Sequence, residues 1–253
     1  MAANASAMTA TQYGAPIGEY RGGKANIFLI IIGVALLVAG ALCALTAASF
    51  SAQGDASSAV GLAIVAVVFI AAAVYAFWTV FTWRGAHARL FERGFVLARA
   101  GKTMTARWED IASVTAKVVR IRYNFIPVWT SHKYTVALAN GETFLINNGF
   151  GKVGALGDAV QRMSANALLP RAIGAYNSGA TLPFGRLSVN QAGISNGKET
   201  LPWSDLERVT FGNGLLLVMR KGKRLRWAYT PVRATPNVYV LVALVNYIQR
   251  GIR

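Results

Sequence analysis

The chain has 253 residues, with 26 Lys and Arg against 10 Asp and Glu for a net charge of +16, yet only 14 % of residues are charged and 54 % are apolar. An ordinary soluble domain is about a quarter charged, so much of this chain avoids water. The single cysteine, Cys43, excludes an intramolecular disulfide, and one Cys with two His falls short of the four ligands of a structural zinc site.

Residues 1–25 open the chain with Ala, Ser, Thr and Gly, a composition that predicts disorder. Two uncharged apolar runs follow, Ile27 to Ala48 and Val60 to Trp83. Each exceeds the ~20 residues needed to cross a hydrocarbon core. Each holds twelve Leu, Ile, Val or Phe, which favour insertion by roughly 4 to 7 kcal/mol. A pair of buried core helices is the competing reading, but globular helices this long normally keep a polar face. The polar stretch Ser49 to Ala59 is the tip of a hairpin spanning 26–83. Gly33 and Gly40 share one helix face, which suits close packing either within the hairpin or against another protomer.

Basic residues flank the hairpin's base: Arg21 and Lys24 before it, Arg84, Arg89 and Arg93 after it. The tip carries only Asp55. The positive-inside rule therefore places both termini in the cytoplasm, with Trp78, Phe81 and Trp83 as an aromatic belt. The length of the polar leader argues against a secretory signal, and Gly40 and Leu42 make a poor lipidation motif before Cys43. Neither span holds an ionisable residue, which suits an anchor better than a transport path.

From Arg84 onward there are 24 Lys and Arg against 8 Asp and Glu, so the net charge sits in this part. It reads as short alternating strands with helices near Val153 to Leu168 and at the C-terminus. A repeat is visible. Trp108-Glu109-Asp110-Ile111-Ala112-Ser113-Val114 returns as Trp203-Ser204-Asp205-Leu206-Glu207-Arg208-Val209. Gly94-Phe95 stands ahead of the first copy and Gly193-Ile194 ahead of the second. Downstream, Lys133 to Ala139 and Glu142 to Asn147 read as strands around a two-residue Asn140-Gly141 turn. Gly214 to Arg220 and Lys223 to Thr230 read likewise around Lys221-Gly222. Thr235 is the expected N-cap of the last helix, with Pro236 at its first position. Alternation puts Leu225, Trp227 and Tyr229 in the core.

This pattern of Gly-apolar, then Trp-x-Asp-Ile/Leu-x-x-Val, resembles the bacterial pleckstrin-homology-like membrane proteins of unknown function. The resemblance implies a membrane α-helical hairpin plus an α+β part: two tandem pleckstrin-homology-like β-barrels, each closed by a C-terminal helix. The expected boundaries are 84–169 for the first domain, 170–184 for a linker and 185–253 for the second domain. Trp108 and Trp203 would cover each barrel, with Asp110 and Asp205 serving turn amides. Eukaryotic pleckstrin-homology domains grip phosphoinositides through a basic loop between their first two strands. The stretches taken as equivalent offer only Arg99 and Lys102, or Lys198, so a diffuse affinity for anionic lipid is the expectation.

The candidate lipid-binding residues are Arg220, Lys221, Lys223, Arg224 and Arg226, five cations among seven residues, with Lys117, Arg120 and Arg122 as a second basic strand. A solvated hairpin tip is the plain alternative. The insert Tyr123 to Trp129 suits either insertion at the membrane interface or packing between the barrels. No catalytic motif emerges around His87, His132 or Glu109-Asp110, and Gly151-Lys152-Val153-Gly154 lacks the phosphate-loop spacing. The chain thus reads as a non-enzyme without cofactor or metal. It binds anionic lipid or a membrane-protein partner at the inner leaflet, or alternatively serves as a scaffolding subunit of a homo-oligomeric membrane complex. The tether and the lack of a nucleic-acid module point away from nucleic acid.

Overall fold

The computed structural model describes residues 12–22, 25–83, 85–99, 101–123, 126–212 and 214–252, without the side chains of residues 25, 26, 83, 120–123, 126–129, 212 and 252. Lys24 and Arg84, two of the flanking cations, lie outside the described residues. The chain divides into two compact units. One holds Arg21–His87 and Ala98–Thr103; the other holds the described part of Met1–Tyr20, Ala88–Leu97 and Met104–Arg253.

The first unit contains α1 (Ala25–Ala52) and α2 (Ala56–Trp83). Both are long and apolar enough to cross a membrane, and only 11 % and 17 % of their most apolar windows are buried. A soluble core helix would be covered instead. The two helices pack on each other through the expected glycines. A Cβ at Gly33 would stand 3.1 Å from the Phe77 ring, and one at Gly40 would stand 3.3 Å from the Ala66 carbonyl oxygen. Packing within the hairpin therefore accounts for both glycines. At the tip Asp55 caps α2, accepting hydrogen bonds from the Ser58 amide at 3.1 Å and the Ser57 hydroxyl at 2.9 Å. Its bonds from Ser58, then those from Ser57, hold its carboxyl below the usual range. At the base the Gly22 amide donates to the Ala86 carbonyl at 2.7 Å, so both helices leave from one place.

Antiparallel sheets and two helices make up the rest. The first half is β1 (Pro16–Arg21), β2 (His87–Phe91), β3 (Gly94–Arg99), β4 (Lys102–Arg107), a 3-10 turn at Trp108–Asp110, β5 (Ile111–Tyr123), β6 (Ile126–Leu138), β7 (Thr143–Asn147) and α3 (Val153–Asn177). The second half follows the same order. It runs through β8 (Leu182–Phe184), β9 (Leu187–Asn190), β10 (Gly193–Ser195), β11 (Thr200–Pro202), β12 (Leu206–Gly212), β13 (Leu215–Arg220), β14 (Arg226–Pro231) and α4 (Val238–Ile252). Each half has a four-stranded sheet, β1 to β4 or β8 to β11, and a separate three-stranded sheet, β5 to β7 or β12 to β14. Strand pairing among the described residues shows these antiparallel sheets and does not show the expected closed barrels.

Three expectations need correction. Residues 16–21, expected to be disordered, form β1. The Glu92 amide bonds the Ala15 carbonyl at 3.1 Å and the Arg93 amide bonds that of Tyr13 at 2.9 Å, so β1 lies antiparallel to β2. The helical hairpin is therefore an insertion between two neighbouring strands of one sheet. Residues 170–184, expected to be a linker, are mostly ordered structure, because α3 continues to Asn177 and β8 begins at Leu182. Pro170 lies inside that helix at an exposed position. The helix persists because Leu168, Leu169, Ala172, Ile173 and Tyr176, spaced for one face, pack on the second half's core. Finally, Thr235 is not the N-cap of α4. It is fully buried, its hydroxyl donates to the Pro231 carbonyl at 3.1 Å, and Asn237 accepts the Leu241 amide.

The repeat has a shared physical basis. Each Trp is buried, and its indole N–H donates to the carbonyl of the last residue of the half's second strand. Trp108 bonds Phe91 at 2.9 Å and Trp203 bonds Asn190 at 3.0 Å. Each preceding glycine makes room for a backbone carbonyl two residues before the Trp. A Cβ on Gly94 would stand 2.6 Å from the Ala106 oxygen, and one on Gly193 would strike the Leu201 oxygen. Each Asp carbonyl then accepts the amide just past the sixth strand, Ala139 on Asp110 at 2.9 Å and Lys221 on Asp205 at 2.8 Å. The expected two-residue turns are longer: a three-residue loop with left-handed Gly141 in the first half, and residues 221–225 with left-handed Gly222 in the second.

Candidate functional site

The Arg220 to Arg226 segment is the turn between β13 and β14, and β14 starts only at Arg226. The Lys223 amide bonds the Arg220 carbonyl at 3.2 Å around Gly222, which closes the loop tightly. Lys221, Lys223, Arg224 and Leu225 are all exposed, Leu225 to 83 %. The placement of Leu225 and Tyr229 in the core is overturned. Residue pairing slips between Val218 and Met219, from Val218↔Ala228 to Met219↔Arg226. That bulge leaves Ala228 and Thr230 opposite buried Val218 and Leu216, while Tyr229 turns outward at 56 % exposure. Trp227 alone of the three packs, half-buried, on the core.

The cations differ in their partners. Arg220 donates to Asp205 Oδ2 at 2.7 Å, so its charge is matched. Arg226 lies over the Tyr229 ring, 4.6 Å from the centroid, an arrangement that extends the side chain along the outer face of the sheet. Among the described residues, Lys221, Lys223 and Arg224 have no carboxylate within ion-pair distance. Asp205 therefore does not serve a turn amide through its side chain as expected. Asp110 does, accepting the Arg107 amide at 3.1 Å.

The second basic group lies elsewhere. Lys117 is exposed on β5, and the side chains of Arg120 and Arg122 lie outside the described residues. Lys117 lines a cleft with Val118, Val119, Leu215, Pro231 and Arg233. Leu215 begins β13 and Arg220 ends it. At about 3.3 Å per residue the strand separates the cleft from the basic turn by roughly 17 Å. The structure thus does not bring the two groups together. The insert expected as a loop at 123–129 belongs largely to β5 and β6, with Tyr123↔Ile126 and Arg122↔Pro127 paired; residues 124 and 125 lie outside the described residues.

Polar groups elsewhere make local contacts. His132 Nδ1 lies 3.3 Å from the Tyr134 hydroxyl, and the rings stack. Burial, with Asp158 and Tyr239 nearby, pushes the Tyr134 hydroxyl up to about 12. A Cβ on Gly157 would strike the same ring, so α3 packs directly against Tyr134. His87 Nδ1 lies 2.9 Å from the Gly85 carbonyl. Among the described residues no three His, Cys, Asp or Glu are gathered to hold a metal. The stretches compared with the phosphoinositide loop also need reassignment. Arg99 to Lys102 and the segment with Lys198 join third and fourth strands, whereas the first two strands are joined by residues 22–86 in one half and by Gly185-Arg186 in the other.

The chain belongs to a family of unknown function, DUF6585, whose model matches residues 1–253. No curated protein matches the chain.

Proposed function

We propose that this DUF6585 member is a non-enzymatic membrane-anchored protein whose cytoplasmic β-part binds anionic lipid at the inner leaflet. In this reading each half is a pleckstrin-homology-like module, and the membrane hairpin is threaded between the first two strands of the first one. Both termini lie on the cytoplasmic side, as the basic flanks of the hairpin favour. One observation carries the reading: Lys221, Lys223 and Arg224 surround Leu225 at 83 % exposure on a tight turn, without carboxylate partners among the described residues. A large apolar side chain held out among cations suits a surface that is anionic outside and apolar just beneath. Each cation near such a leaflet contributes about 1 kcal/mol.

The test uses the full chain, because a fragment starting after the hairpin would lack β1. Leu225→Cys is labelled with an environment-sensitive dye in a Cys43→Ala background and reconstituted in nanodiscs. Emission should shift to the blue with phosphatidylglycerol present and not with phosphatidylcholine alone. The triple variant K221Q/K223Q/R224Q should cancel the shift. Equal emission in both lipids would sink the electrostatic reading.

A further inference from the structure

Strand β5 pairs with β6 on one side only, and its other side is a sheet edge. The start of that edge is already occupied. The Val114 amide donates to Asn237 Oδ1 at 2.9 Å, the Asn237 amide donates to the Val114 carbonyl at 2.9 Å, and Asn237 Nδ2 donates to the Ala112 carbonyl at 2.8 Å. One residue of the second half thus imitates a neighbouring strand for two rungs. Its left-handed backbone, φ +52°, lets side chain and main chain reach the same edge.

Backbone groups alternate along a strand, so the next outward rungs belong to Ala116, which is buried, and to Val118, which is exposed. Both residues line the cleft of about 400 Å³ described above. Its walls are apolar, and its charged side chains are Lys117 and Arg233, which make no ion pair among the described residues. Val118 and Val119 are 45 % and 39 % exposed on opposite faces of the strand. At Val118 the edge is exposed beside apolar surface, and such an edge is a template for another strand.

We infer that this edge receives an extended acidic segment of a partner protein, which adds as a strand beside Val118. Charge selects the occupant. A second copy pairing β5 with β5 would bring Lys117, Arg120 and Arg122 of both chains together, and like charges across a strand pair repel. The described tail residues before β1 are uncharged, whereas an acidic strand meets Lys117 and Arg233 with opposite charge. The inference goes beyond lipid binding and does not depend on it.

The test is a dye-labelled peptide of alternating Val and Glu titrated onto the full chain in neutral nanodiscs, followed by anisotropy and amide exchange. The peptide should bind and slow exchange at Val118, and a Val/Lys peptide should not. Val118→Pro removes an outward amide without touching the β5–β6 ladder and should weaken binding about ten-fold. Arg233→Glu, away from the strand, should weaken it roughly five-fold and guards against misfolding of the proline variant. Three results would overturn the inference: equal binding of the Lys peptide, binding unchanged in both variants, or protection of the Val118 amide without peptide, which would mean that the chain's own tail or a second copy covers the edge.

Discussion

The two halves of the β-part share their skeleton and differ in their attachments. Both bury a Trp on the carbonyl that ends their second strand, and both have a glycine beneath the carbonyl two residues before it. Both also carry a bulge at the start of the fifth strand, at Ile111/Ser113 and at Leu206/Arg208. The first half alone carries the membrane hairpin between its first two strands and a long β5–β6 ribbon of thirteen-residue strands. In the second half those strands have seven and six residues, and the charge is concentrated in the following turn instead. Features present twice are what the fold needs. Features present once are where a task has been added, so the basic turn and the open β5 edge are the places to look.

The largest expected effect tests the shared part. Trp108→Ala and Trp203→Ala should each destabilise by about 3 to 5 kcal/mol, since each removes a buried aromatic ring and leaves a cavity. Phe at either position should recover most of that and lose about 1 kcal/mol with the indole hydrogen bond. Thermal melts in detergent check this. A Trp203 variant much milder than its counterpart would show that α3 fills the gap, because Tyr176 lies edge-on to the Trp203 ring with centroids 6.3 Å apart.

A smaller effect tests the link between the halves. Asn237→Ala strands the Val114 amide and the Ala112 carbonyl and also leaves in the left-handed region a residue without the short polar side chain that lets Asn tolerate it. Asn237→Gly strands the same groups but relieves the backbone. The Gly variant should lose about 1 to 3 kcal/mol, and the Ala variant should lose about 1 kcal/mol more. Amide exchange at Val114 should quicken in both. Unchanged exchange would mean that the β5 edge is held by something other than Asn237.

Which parts were readable from sequence follows the range of the forces involved. The membrane hairpin declares itself in two uncharged runs, and the repeat in two tryptophans with their glycines, because those signals are local. β1 is invisible in this way: Pro-Ile-Gly-Glu-Tyr-Arg has no clear alternation, and its partner begins 66 residues downstream at His87. The continuation of α3 through Pro170 rests on a core built by residues that come later in the chain. Tyr229 was misplaced because one bulged residue inverts every face after it. Among the site residues, the basic turn was readable as composition, but its unequal partners were not. Nothing local marks Arg220 as paired or Lys117 as lying at the far end of β13.

The smallest effect concerns that inequality. Asp205 and Asp110 stand at the same point of the repeat, and their main chains act alike, yet only Asp205 holds an arginine. The Arg220–Asp205 bridge is about half exposed on the arginine side and over a third exposed on the aspartate side, so Asp205→Asn should cost no more than about 1 kcal/mol. What it should change is the turn, where Arg220 becomes a fourth unmatched cation beside Lys221, Lys223 and Arg224. Association with phosphatidylglycerol nanodiscs, read by the dye at position 225, should then strengthen up to about five-fold, in line with roughly 1 kcal/mol per cation near the surface. Asp110→Asn, at the matching position of the half without the basic turn, should leave it unchanged. Equal responses of the two variants would show that the difference between the halves at this turn has no bearing on lipid.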